Sequence, residues 1–163
     1  MQTTIITRES IPLLQSLAKQ TFYATYTENL LSNEARDPIY KYLYSTEAIQ
    51  SAMDKGSQFT VYYENEKVIG FTGIRYHEGD KSIYLHDFYL MPELKGKGLG
   101  SILMGKVKTF AHDKNCNKII LNCNINNERA IGFYNKHNFK IERYLHTPVN
   151  GFDLLDMEME CNI

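Results

Sequence analysis

The chain has 163 residues, 43% apolar and 23% charged, so a buried core in one domain over residues 1–163 is expected and disorder is not. Its net charge of −1 argues against the basic face that grips nucleic acid, and no such partner is expected. No apolar run reaches the roughly 18 residues that span a bilayer. Met1–Arg8 also lacks a signal peptide's charged and apolar regions, so no membrane partner and a cytoplasmic location are expected.

Thr3–Arg8 reads as a short strand. Ser10 is a plausible helix cap, with Pro12 in the first turn. Leu14, Leu17, Ala18 and Phe22 then recur at helical spacing and predict a helix to about Thr25. Glu34–Tyr44 predicts a short helix interrupted near Pro38. Ser45 or Thr46 can cap another over Glu47–Lys55, stopping at Gly56.

Strand signals follow. Gln58–Tyr63 and Lys67–Tyr76 flank the turn Glu64-Asn65-Glu66 and predict a hairpin. A second turn around Gly79-Asp80 leads to a third strand, Ser82–Leu90. After Pro92, a Lys/Gly-rich loop opens a long amphipathic helix with apolar Leu99, Ile102, Leu103, Val107, Phe110 and Ala111. Lys118–Cys123 is a short β-rich run, and Asn126 or Asn127 caps a helix ending near His137. Phe139–His146 and Phe152–Glu160 flank Asn150-Gly151, a strong hairpin turn. The order predicts one α/β domain with a mixed sheet.

Cys116, Cys123 and Cys161 are odd in number and form no C-x-x-C, so free buried thiols are expected. The five histidines show no H-x-x-x-H spacing, and no metal is expected.

The chemistry concentrates in Lys95-Gly96-Lys97-Gly98-Leu99-Gly100-Ser101. Glycines on alternate positions let backbone N–H groups approach an anion without Cβ obstruction. The following helix adds free amides and a positive dipole end, and the lysines add charge. A phosphate or pyrophosphate ligand is indicated. Ser101 stands where a dinucleotide fingerprint needs its third glycine. Gly100…Gly105-Lys106 imitates a P-loop, but Val107 stands where a hydroxyl must hold Mg²⁺, so Gly105 and Lys106 read as helix surface.

The run Phe88-Tyr-Leu-Met-Pro-Glu-Leu-Lys-Gly-Lys-Gly-Leu-Gly100 resembles the signature of the GNAT superfamily of N-acetyltransferases, with Lys95 replacing the usual Gln or Arg. Downstream, Asn127-Glu-Arg-Ala-Ile-Gly-Phe-Tyr134, followed by Asn138-Phe139, is similar to that superfamily's N-x-x-A-x-x-x-Y-x-x-x-G-F, with Asn138 replacing the common Gly. Asn can also adopt a left-handed turn. The resemblance covers Ser82–Phe139 and implies a mixed, mostly antiparallel central sheet flanked by helices. It implies acetyl-CoA as cosubstrate and a small amine or a protein amine as acceptor, and homodimers are common in the family.

The resemblance assigns Phe88, Tyr89 and Leu90 to a splayed strand whose amides bind the acetyl carbonyl and pantetheine. It assigns Lys95, Gly96, Lys97, Gly98, Leu99, Gly100 and Ser101 to the pyrophosphate, and Asn127 to the pantetheine arm. Tyr134 would protonate the departing thiolate. Asn127 and Tyr134 are seven residues apart on one helix face, ~10 Å along the axis, which suits an extended arm. Taken alone, without the motif, they read better as an N-cap and a half-buried core phenol.

Family members place a basic carboxylate at positions matching Tyr84 or Asn122, and neither is acidic here. His86 is the candidate base. Strand alternation puts it on Tyr84's face, toward the expected cleft, and puts Asp87 on the opposite face as a paired structural carboxylate. Imidazole changes charge nearest neutral pH, and arylalkylamine acetyltransferases place a His at the matching position. A water chain without a dedicated base is the alternative. Nothing near Cys123 in sequence activates it as a nucleophile. Gln20–Tyr26, the acidic-aromatic stretch to Tyr44, and Gln58-Phe59 resemble PaiA-like polyamine acetyltransferases. Glu28, Glu34, Asp37 and Glu47 can attract a polycation or simply be solvated. The expected function is acetyl transfer to a primary amine, directly in a ternary complex. The alternative is an acetyl-CoA-binding sensor or interaction module without turnover.

Overall fold

The computed structural model describes residues 1–163. Strand β1 (Gln2–Ile5) leads to helices α1 (Ile11–Thr25), α2 (Asn33–Tyr44) and α3 (Thr46–Asp54). Strands β2 (Ser57–Glu64), β3 (Lys67–His77) and β4 (Ser82–Leu90) form a meander. Helix α4 (Leu99–Asp113), β5 (Lys118–Asn124), α5 (Glu128–Lys136), β6 (Lys140–Val149) and β7 (Phe152–Asn162) complete the chain. The seven strands run in the order β1-β2-β3-β4-β5-β7-β6. Only β4 and β5 pair in parallel. This is the mixed, mostly antiparallel α+β architecture expected from the motifs.

Local chemistry explains the boundaries. Ser32 and Ser45 cap α2 and α3 by accepting from the N–H groups of Ala35 and Ala48. Ser10 acts differently from a simple cap: its Oγ accepts from the Thr7 N–H at 2.8 Å and so fixes the turn before α1. Pro38 does not interrupt α2. It lies in the second turn, where its missing N–H forfeits one bond and the helix continues. The turn between β2 and β3 is tighter than expected, because Glu64 pairs with Lys67. Asn65 and Glu66 alone turn the chain, with φ of 48° and 64°. Such mirror-image turns match the twist of paired strands.

Each sheet face carries its own core. Helices α1–α3 pack Leu14, Phe22, Ile39 and Ile49 against Phe59, Val61 and Phe71. On the other face, Met104, Val107 and Ala111 of α4 pack with Ile83, Leu85, Ile119 and Leu121. The expected stripe of α4 is rotated: Ile102 is 52% exposed, and Met104 takes its buried place. Gly105 and Lys106 are exposed on α4, as ordinary helix surface.

Candidate active site

The site begins where the parallel pair ends. Strands β4 and β5 pair only over Ser82–Tyr84 and Lys118–Ile120, then diverge. Beyond Tyr84, β4 stays with β3 while β5 stays with β7. The gap is a cleft of about 470 Å³. One wall is His86, Phe88, Tyr89 and Leu90 of β4, and the other is Asn122, Cys123 and Asn124 of β5. The edge of β4 that faces the gap has no ladder partner, so its backbone groups are open to a ligand.

A β-bulge shapes the first wall. Gly73 pairs with Asp87 and Ile74 with Leu85, leaving His86 as the extra residue. The bulge breaks the alternation that would send His86 and Asp87 to opposite faces. Instead His86 Nδ1 and Asp87 Oδ2 are 2.9 Å apart. A Cβ on Gly73 would stand 2.6 Å from Asp87 Oδ2 and 2.7 Å from His86 Nδ1, so only glycine leaves room for the pair. Asp87 is buried and also accepts from the Tyr44 hydroxyl. The His86 ring meets Phe59 edge-on at 5.1 Å. Its Nε2 is buried without a hydrogen-bond partner. With Nδ1–H donated to the carboxylate, Nε2 is the acceptor of the ring. Burial first, and then the charge of Asp87, holds the Tyr44 phenol well above its ordinary range.

The opposite end of the cleft suits an anion. Gly96 and Gly98 have φ of 83° and 80°, and Gly98 begins α4 with no side-chain cap. The first amides of α4 are thus available to a ligand. Lys95, Gly96, Gly98, Gly100 and Ser101 line the cleft, whereas Lys97 and Leu99 do not. Lys95 is less free than its loop position suggests. Its ammonium donates to Thr25 Oγ1 at 3.1 Å, and burial, then Arg129, lowers its pKa. Arg129 and Lys136 of α5 also line the cleft. Nothing in the sequence distinguishes these two cations from ordinary polar positions of an amphipathic helix. Replacing Gly98 by Ala forces a side chain into the left-handed region, at ~1 kcal/mol or more. The expected result is severalfold weaker binding of acetyl-CoA, read by calorimetry; unchanged affinity would exclude the loop as an anion cradle.

Between these ends stand Asn127 and Tyr134. Asn127 caps α5 by accepting from the Ala130 N–H through Oδ1, which leaves Nδ2 as a donor for a ligand. Asn127 thus caps α5 and lines the cleft at once. Tyr134 is 8% exposed and wedged among Phe88, Phe133 and Phe139. Burial, then Cys123, Tyr26 and Asp87, pushes its phenol far above the ordinary value, so it stays protonated. Asn138 adopts φ 68°, the left-handed turn that ends this motif. Cys123 is buried, and burial followed by the charge of Asp156 pushes its thiol up to about 12. A thiol so held is a poor nucleophile.

Residues 19–139 match the family model described as Acetyltransferase (GNAT) family. A 54-residue stretch is 41% identical to the thialysine N-epsilon-acetyltransferase of Bos taurus, covering 33% of this chain and 32% of the relative. The Sus scrofa protein of the same name is 39% identical over the same length. The match thus spans about a third of these curated relatives. Among solved structures, PaiA N-acetyltransferase from Thermoplasma acidophilum in complex with coenzyme A has a TM-score of 0.79 at 22% identity, over 100% of both chains. The ribosomal-protein-S18-alanine N-acetyltransferase of Escherichia coli has 0.73 at 14%, over 99% of this chain and 94% of that one. A point mutant of the spermidine N-acetyltransferase SpeG of Vibrio cholerae has 0.70 at 18%, over 99% and 95%. At these identities the solved structures share the fold.

Proposed function

Because the chain belongs to the acetyltransferase (GNAT) family, we propose that it moves the acetyl group of acetyl-CoA to a primary amine directly in a ternary complex, with a polyamine as the leading acceptor. The observation that carries this reading is Tyr134: a phenol that lines the cleft where β4 and β5 part, on the helix that Asn127 caps. The glycine loop and the start of α4 fit the diphosphate, and Asn127 Nδ2 fits an amide of the pantetheine arm. The open edge of β4 donates to the thioester oxygen as negative charge develops there. His86 Nε2 takes the proton of the acceptor ammonium, and Asp87 holds the ring in the tautomer that leaves Nε2 free. The neutral amine forms the C–N bond and the C–S bond breaks. The Tyr134 hydroxyl gives its proton to the sulfur, and the second proton lost by the nitrogen as it becomes an amide restores the Tyr134 hydroxyl. This leaves the acetylated amine, the CoA thiol and protonated His86, which returns its proton to solvent. The buried, unactivated Cys123 makes a covalent acetyl-cysteine unnecessary to the scheme.

The polyamine reading draws on the resemblance to PaiA and to a spermidine N-acetyltransferase. Its test is mass spectrometry of the products after incubation with acetyl-CoA and a panel of spermidine, spermine, mixed N-terminal peptides and an amino sugar. Acetylated spermidine or spermine supports it, and acetylation confined to peptides or the sugar replaces it. A second reading, an acetyl-CoA-binding module without turnover, is motivated by the missing carboxylates at Tyr84 and Asn122. Tight acetyl-CoA binding with no transfer to any amine would favour it.

A further inference from the structure

The sheet face that carries α1–α3 also bears a shallow groove of about 440 Å³, lined by Tyr84, Asn122, Arg143, Leu145 and Glu158 among others. Asn122 lines both this groove and the cleft, so the two meet there. Asp156, Glu158 and Glu160 alternate along β7 and therefore leave the sheet on this face. Two of the three are neutralised. Glu160 holds Lys118 Nζ at 2.8 Å. Glu158 takes Arg143 through two bonds of 2.9 Å. Asp156 is half-buried, and burial alone, with no hydrogen bond or ion pair, sets the state of its carboxylate.

Its position is specific. In register, Asp156 lies beside Asn124 of β5, a cleft residue, and beside Leu145 of β6, a groove residue. Cross-strand partners share a face, so the carboxylate leaves the sheet between a residue that lines the cleft and one that lines the groove. Its charge is felt on three neighbouring elements. After burial, it is the next cause that raises Tyr26, Tyr84 and Cys123, which come from the end of α1, from β4 and from β5. Burial raises the Asp156 carboxyl as well. A half-buried carboxylate without a partner costs stability, and a bound cation offsets that cost.

We propose that Asp156 is the group that receives the acceptor's ammonium, and that this one unpaired carboxylate makes the acceptor site select cationic amines. The proposal rests on the acetyl-transfer reading of the cleft and supplies the acceptor-side anchor that reading lacks. His86 remains the group that removes the proton; Asp156 orients the ammonium before that step.

The test is calorimetric titration of 1,4-diaminobutane into the complex of the full chain with CoA, which binds without turnover. Asp156→Asn is expected to weaken diamine binding about tenfold or more, the loss of one charged hydrogen-bonded contact. It is expected to leave CoA affinity intact. A carboxyl whose folded pKa lies above its unfolded value destabilises the fold where it is ionised, so the Asn variant should melt no lower than wild type near neutral pH. Asp156→Glu, which keeps the charge, should recover much of the diamine affinity. Glu158→Gln, already matched by Arg143, should not weaken it. Diamine binding unchanged in Asp156→Asn, absent in wild type, or weakened equally by Glu158→Gln would overturn the proposal. Diamine that binds through Asp156 but is never acetylated would instead overturn the catalytic reading and leave Asp156 as the cation site.

Discussion

Tyr134→Phe is expected to lower kcat about 100-fold, the loss of a general acid, while leaving acetyl-CoA affinity unchanged. The substitution removes one oxygen from a ring held by Phe88, Phe133 and Phe139, so packing is retained. The wild-type phenol is raised by burial first and then by Cys123, Tyr26 and Asp87. Each of these causes disfavours the phenolate, so the group keeps its proton through neutral pH; its place in the cleft, not the shift, makes it the donor to a departing thiolate, since a raised pKa alone makes a phenol a weaker acid. Steady-state release of CoA thiol and calorimetric binding of acetyl-CoA separate the two effects. An unchanged kcat would remove Tyr134 from the chemistry, and a lost affinity would make it a packing residue.

The second large effect concerns the bulge. His86→Ala is expected to lower kcat/KM about 100-fold by removing the base. Gly73→Ala should act in the same direction with His86 still present. Its new methyl would meet Asp87 Oδ2 at 2.6 Å and His86 Nδ1 at 2.7 Å, forcing the pair apart. Because β2 and β4 flank Gly73 on either side, circular dichroism and acetyl-CoA binding would accompany the kinetics. A loss of activity with fold and acetyl-CoA binding retained supports a positioned His86–Asp87 pair. Full activity in both variants would mean that the acceptor loses its proton through water.

The glycine loop, the Asn127–Tyr134 helix and the succession of helices and strands along the chain are legible in the sequence because each rests on local chemistry. Positive φ at Gly96 and Gly98 and the left-handed Asn138 are demands that few residue types meet. What is not legible depends on tertiary register. Strand alternation separates His86 from Asp87, and only the bulge opposite Gly73 joins them. Arg129 and Lys136 look like any solvated helix positions until β4 and β5 part beneath them. Asp156 is one acidic residue among several on β7; only pairing across three strands reveals that its neighbours are neutralised and it is not. The stripe of α4 shifts because Met104, not Ile102, meets the sheet. Pro38 reads as a break under a rule that holds for helix interiors more strictly than for the second turn.

The measurement that tests the central claim most directly is initial-velocity release of CoA thiol, with acetyl-CoA and the amine varied together. Direct transfer in a ternary complex predicts amine-dependent release with intersecting double-reciprocal lines and one acetylated amine for each thiol freed. Parallel lines, or an acetylated Cys123 trapped in the absence of amine, would contradict it.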